Sequence, residues 1–254
     1  MNTPPGWFGK VPALGDFVTR RLPVGFLQPW DHWITRGVSD TQRDHGDAGR
    51  EGLLTFPVWR FLLPPHLLNR QGWFGLLAPS VDRVGRRFPL TIAAELSESQ
   101  YATLSIATIA TTLEPWLEAL MRVLEDDDVA TFDAALQIPY ELAGATLSGL
   151  ANIAPSIEFT RPLVTELTML GEQQLRHTLG GRSLWWTEPS GIKSSGIESS
   201  GIESSGIKPS GSDPIQPGIM IAHDGALSAV LFEQLVRAAA TELATTQPVY
   251  FGHD

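Results

Sequence analysis

The chain has 254 residues, of which 43% are hydrophobic and 18% charged. That is the composition of a folded domain with a real core, and it sets aside global disorder and collagen-like or coiled-coil fibres. There is no cysteine, which excludes disulfide frameworks, thiolate zinc sites and cysteine nucleophiles; the net charge of −10 disfavours steering onto nucleic acid or an anionic membrane.

The charge is unevenly spread. Residues 1–90 carry 11 Lys+Arg against 7 Asp+Glu, and the remainder 7 against 21, so the first third offers a basic face that suits an acidic protein partner. The N-terminus has neither a basic n-region nor an apolar h-region, and no apolar run of roughly 18 residues follows, which reads as a cytoplasmic, non-spanning protein.

Taken along the chain, Gly6-Trp7-Phe8-Gly9-Lys10 first invites a phosphate-loop reading. It fails, because its two glycines are too close together and Val11 stands where a Ser or Thr would hold Mg²⁺. Over about 24–43, Phe26, Leu27, Trp30, Trp33, Ile34, Gly37 and Val38 form a stripe of period 3.6 that predicts a helix, with Trp30 and Trp33 as core anchors. Three strand-like runs follow, Phe56 to Leu63, Gly72 to Pro79 and Phe88 to Ala94. Their short spacers favour antiparallel neighbours, and their apolar character on both alternating positions predicts cover on both faces.

A helix is predicted over Thr112 to Glu125 with Pro115 near its first turn, and Tyr101 to Ala110 extends it with a kink at the proline. Asp126-Asp127-Asp128 reads as a turn and N-cap into a short helix near 129–136. Further helices are expected at about 165–179, stopped by Gly180-Gly181, and at 228–243, capped by Ser228. Leu184 to Thr187 and Ile219 to Ala222 read as neighbouring strands. Their connection, 188–217, is lengthened by a Gly/Ser-rich repeat of period five over 191–210 that holds one Ile per unit and is expected to be a flexible insert. The sum is an α/β fold, a three-layer α/β/α sandwich whose mixed, largely antiparallel sheet is covered by helices on both faces, built as one domain over 1–254.

No dinucleotide fingerprint and no nucleophile elbow occur, and the six histidines lack metal-ligand spacing, so no cofactor or metal is expected. What remains is a set of glycine, aromatic and charged positions at two places: Gly15, Asp16, Phe17, Arg20 and Arg21, and then Asp82, Arg83, Arg86 and Arg87. Asp16 and Asp82 read as turn formers and the arginines as a solvated rim, or else the set is a binding or structural site. Arg20, Arg21, Arg86 and Arg87 lack matching carboxylates in their own segments, and their mutual repulsion argues that a carboxylate elsewhere, or a partner, meets them. An alternative is a hydrolase using Asp16 or Asp82 in a cleft, although a lone carboxylate without an identified partner does not define a reaction.

Gly6-Trp7-Phe8-Gly9-Lys10-Val11-Pro12 with Gly15-Asp16-Phe17, Arg21-Leu22-Pro23 and Pro29-Trp30-Asp31-His32-Trp33 resembles the opening of the TagF (ImpM) family of bacterial type VI secretion clusters. The run from Pro79 to Leu90 resembles its central motif, and Ser183 to Thr187 its C-terminal strand. The resemblance is close over about 6–96 and rests on the strand motif alone at 183–187. It implies a three-layer α/β/α domain without known catalysis that represses type VI secretion after translation, through the forkhead-associated scaffold protein and so upstream of assembly at the inner membrane. Some relatives are fused to a PppA-type serine/threonine phosphatase domain, for which this sequence has no room. The family offers no catalytic residues to carry over. The function expected is thus that of a non-enzymatic interaction protein, cytoplasmic and recruited to the inner membrane by its partners.

Overall fold

In the computed structural model, the residues described are 2–125, 128–142, 156–163, 165, 181–189 and 217–238. Eight strands form one sheet: β1 (Gly6–Gly9), β2 (Val18–Arg20), β3 (Trp59–Leu63), β4 (Gly72–Ala78), β5 (Leu90–Leu96), β6 (Ser156–Phe159), β7 (Ser183–Trp186) and β8 (Gly218–His223), in the order β2-β1-β5-β4-β3-β7-β8-β6. All seven pairings are antiparallel, so the mixed sheet expected from sequence is corrected to an antiparallel one among the described strands. The short β3–β4 and β4–β5 connections dictate this for those two pairs, since a parallel neighbour requires a long crossover.

The strands are buried on both faces because successive side chains feed different layers. On β4, Phe74, Leu76 and Ala78 join one core, while Trp73 and Leu77 join the other. The first core is closed by α3 (Ile106–Glu125) and α4 (Val129–Ala135), through Leu113, Trp116, Leu120 and Phe132. The second is closed by α1 (Val24–Thr55) and α5 (Ala229–Arg237), through Phe26, Trp30, Trp33, Leu231 and Phe232. Helices therefore cover both faces, as the two-sided apolar strands required. All eight tryptophans are buried. In the second core Trp30 stacks between Phe26 and Trp185, with ring centroids at 5.1 and 6.1 Å. Its indole N–H is satisfied by Thr91 Oγ1 at 2.9 Å, and that of Trp33 by the Ser228 carbonyl at 2.9 Å, so the slab buries aromatic area without stranding donors.

The predicted helix at 24–43 forms and runs on to Thr55. It is broken at Gly46, whose φ of 55° and ψ of −123° a residue with a Cβ adopts only under strain. Phe56 to Val58 precede β3 rather than belonging to it. The expected extension of the helix back to Tyr101 is corrected: Ile106 to Ala110 join α3, but Tyr101 to Thr103 do not. α2 (Glu98–Thr103) is a separate short helix with a Ser97–Gln100 capping box, the chain breaks at Leu104 and Ser105, and α3 continues through Pro115. Ser105 Oγ accepts the Thr108 N–H at 3.2 Å, starting α3 a full turn and more before the position read from the proline. Asp128 and Ser228 cap α4 and α5 as predicted. β7 and β8 pair directly, and Thr187 and Ile219 exchange hydrogen bonds where their connection leaves the sheet. The expected helix at 165–179 beyond residue 165, the aspartates at 126–127, residues 239–243 of the 228–243 helix and the repeat at 191–210 lie outside the described residues.

β1, β2 and β6 were not read as strands from sequence. The first is four residues with a glycine at each end and the second only three residues, and they gain their strand character from pairing with β5 and with each other. No helix among the described residues is long and apolar enough to cross a membrane.

Candidate functional site

The two singled-out segments leave neighbouring places in the sheet and meet. Residues 10–17 run from the end of β1 toward β2, and residues 79–89 join β4 to β5. β1 and β5 are paired, and Gly9 makes the close approach possible: its φ is 140°, and a Cβ there would strike the Pro89 carbonyl oxygen. The loops are then stitched by backbone. Arg83 N–H donates to the Leu14 carbonyl at 2.8 Å, and the Ser80 hydroxyl donates to the Lys10 carbonyl at 2.6 Å.

At the centre lies Asp82, only 2% exposed. Its Oδ1 accepts the N–H groups of Val84 at 3.1 Å and Arg86 at 2.8 Å, and its Oδ2 accepts Lys10 Nζ at 3.0 Å and Arg86 Nε at 2.6 Å. Gly85, with φ of 82°, closes the turn by donating to the Asp82 carbonyl at 2.8 Å. Burial by itself raises the Asp82 pKa, but the donors from Arg86, Lys10 and Val84 outweigh it and hold the carboxyl well below the usual carboxylate range. A carboxylate in this state is a poor general base or nucleophile: its lone pairs are spent, and no water-accessible face remains. It is instead a rivet that fixes the loop, neutralises the 5%-exposed Lys10 and carries Arg86 across to the Gly15 carbonyl. Lys10 also lies over the Phe17 ring, 4.8 Å from its centroid.

The structure divides the residues expected to form the site. Gly15, Asp82 and Arg86 come together as one network. Phe17 packs edge-on to Phe88, with centroids at 4.7 Å, yet stays 46% exposed. Asp16, considered as a buried acid, is exposed, and its Oδ1 accepts only the adjacent Phe17 N–H, at 2.8 Å. Arg21 is used elsewhere. In a left-handed conformation with φ of 56°, it donates to the Pro5 carbonyl at 2.9 Å and grips Asp133 of α4 at 2.8 Å. Asp133 also accepts the Trp7 indole N–H at 2.7 Å, and the Arg21 guanidinium first of all keeps its carboxyl below the ordinary range. Arg86 is met by Asp82 of its own segment, and Arg21 by the sequence-distant Asp133. Arg20, Arg83 and Arg87 stay toward solvent or at the rim.

Lys10, Ser80 and Asp133 are the participants that sequence reasoning missed. Lys10 had a signal: a charge enclosed by Trp7, Phe8 and Val11 must find a buried counter-ion. Asp133 had none, being one polar residue on an amphipathic helix. No cluster of His, Asp and Glu able to hold a metal ion occurs among the described residues.

The family model for the TagF N-terminal domain, type VI secretion system-associated, matches residues 6–138, just over half of the chain, and takes in the whole stitched site. The chain belongs to the TagF family. Among solved structures it is similar to the crystal structure of PA0076 from Pseudomonas aeruginosa PAO1, with a TM-score of 0.63 and 27% identity over 98% of this chain and 100% of that one. No curated protein matches it. The TagF match ends just beyond α4, but β6, β7 and β8 extend the same sheet from the far side of β3, so the family's N-terminal unit and the later strands share one framework.

Proposed function

We propose that this TagF-family, type VI secretion-associated chain acts by occupancy: it binds the forkhead-associated scaffold protein of the secretion machinery and holds back assembly or firing after translation, without turning over a substrate. The secretion context comes from the family match over residues 6–138. The mode of action is supported by one observation, that the deepest carboxylate of the central motif is saturated by Lys10, Arg86 and two backbone N–H groups and therefore serves architecture. The sign of regulation, repression, follows the resemblance to TagF proteins, and the place of action is the cytoplasmic side of the inner membrane, reached through the scaffold.

Affinity capture on the tagged full chain from cells with an active secretion cluster, paired with a secretion assay, tests this reading. The scaffold is expected in the captured material, secretion is expected to rise on deletion, and it is expected to fall on overexpression. Unchanged secretion in both directions, or a substrate consumed in an activity screen and spared by Asp82→Asn, would overturn it.

A further inference from the structure

Two arginines of the stitched loops contribute backbone to the fold but leave their side chains out of its ion pairs. Among the described residues neither Arg83 nor Arg87 forms an ion pair, and Arg87 Nε is shielded from solvent with no hydrogen-bond partner. Beside them the same loops present two large apolar side chains to solvent, Phe17 at 46% and Val84 at 68% exposure. Aromatic and arginine side chains are the types enriched at the centres of protein contacts, and these loops offer both. The patch is also rigid. Arg83 N–H to Leu14, Arg86 to Gly15 and the Asp82 network lock both loops, so little conformational entropy is lost when it is covered.

Charge selects the occupant. The chain carries −10 overall, and here a basic spot stands against that background, so an acidic polypeptide repelled by the rest of the surface is guided to it. The guanidinium fork matches a carboxylate bidentately, and the neighbouring apolar pair asks for an apolar side chain that a nucleic acid backbone does not supply. We infer that Phe17, Arg83, Val84 and Arg87 form the docking surface for an acidic segment of a protein partner, which lays an apolar side chain against Phe17 and Val84 and its carboxylates on Arg83 and Arg87. This rests on the reading of the chain as a binding factor and adds the surface it binds with.

The probe is the purified forkhead-associated scaffold of the same secretion cluster, titrated calorimetrically into the full chain. Arg83→Glu combined with Val84→Asp is expected to weaken binding roughly tenfold or more at an unchanged melting temperature. Val230→Asp, at a position 62% exposed on α5, leaves binding intact. A photo-crosslinking residue at position 84 is expected to label an Asp/Glu-rich segment of the scaffold, and reversing those acids to Lys restores binding to the Arg83→Glu chain. If the wild-type chain binds the scaffold and the double variant binds equally well, the surface assignment is wrong while the proposed function stands. If the wild-type chain does not bind the scaffold, the proposed function falls and crosslinking in cells decides the surface. Labelling of an acidic polypeptide segment that Arg83→Glu abolishes sustains it; labelling no stronger than from position 230, or labelling of nucleic acid or lipid, overturns it.

Discussion

Asp82 shows how a single side chain sets the character of a loop. Its folded-state pKa lies below the value of about 3.9 expected for the unfolded chain, so its contribution to stability is complete above that value and is lost as pH falls through the folded one. Asp128, held by the Thr131 hydroxyl and two N–H groups, and Asp133, held by Arg21, act with the same sign. Stability measured by denaturant titration is therefore expected to hold from neutral pH to about pH 5 and to fall steeply below about pH 4. Asp82→Asn leaves Lys10 buried without its counter-ion and should lower the denaturation midpoint at pH 7 well beyond any effect of Asp16→Asn, with the gap to wild type narrowing as the acid limb is descended. A constant gap across the titration would mean that the Asp82 charge is not what holds the loop. The exposed Asp16 makes no comparable contact, so two aspartates that look alike in glycine-containing turns differ in everything that burial decides.

Between elements, the crossing of α1 and α5 depends on Gly37. A Cβ at that position would run into the Phe232 ring, which also packs edge-on against Trp33 with centroids at 5.5 Å. Gly37 lies on the apolar stripe, where alanine has the better helix propensity, yet Gly37→Ala is expected to destabilise by about 1–3 kcal/mol in denaturant titration because the core is overpacked. Gly15→Ala meets only Arg83 Nη2, at 3.5 Å, without a positive φ, and should stay within about 0.5 kcal/mol of wild type. The helix stripes and the central strands were legible in the sequence for the same reason, since each buries a face whose periodicity is written in consecutive residues. The starts of helices were less so. Pro115 suits a first turn by its chemistry, but the Ser105 hydroxyl and the burial of Ile106 and Ile109 draw the helix start upstream, and α3 continues through the proline.

At the scale of the whole molecule, the sheet is expected to tolerate the repeat. The ends of the 188–217 connection are held by β7–β8 pairing and the Thr187–Ile219 hydrogen bonds, so nothing in the ladder depends on its length. Deleting residues 191–210 is expected to leave the melting temperature unchanged or raise stability by up to about 1 kcal/mol through the smaller closure entropy; a loss larger than this in thermal denaturation would show that the repeat packs on the domain. The sequence alone determined the α/β class, the two-faced central strands, the two tryptophan anchors of α1, the capped helices and the family, because all of these are local patterns of apolar spacing and cap chemistry, or contiguous motifs. Only the tertiary structure decided which charges pair. Arg21 and Asp133 are 112 positions apart, and Lys10 and Asp82 meet solely because β1 lies against β5. Ion pairing depends on distance in space and on exclusion of water, neither of which a linear sequence contains, and so the division of these arginines into those paired within the fold and those without an ion pair among the described residues became visible only once the chain was folded.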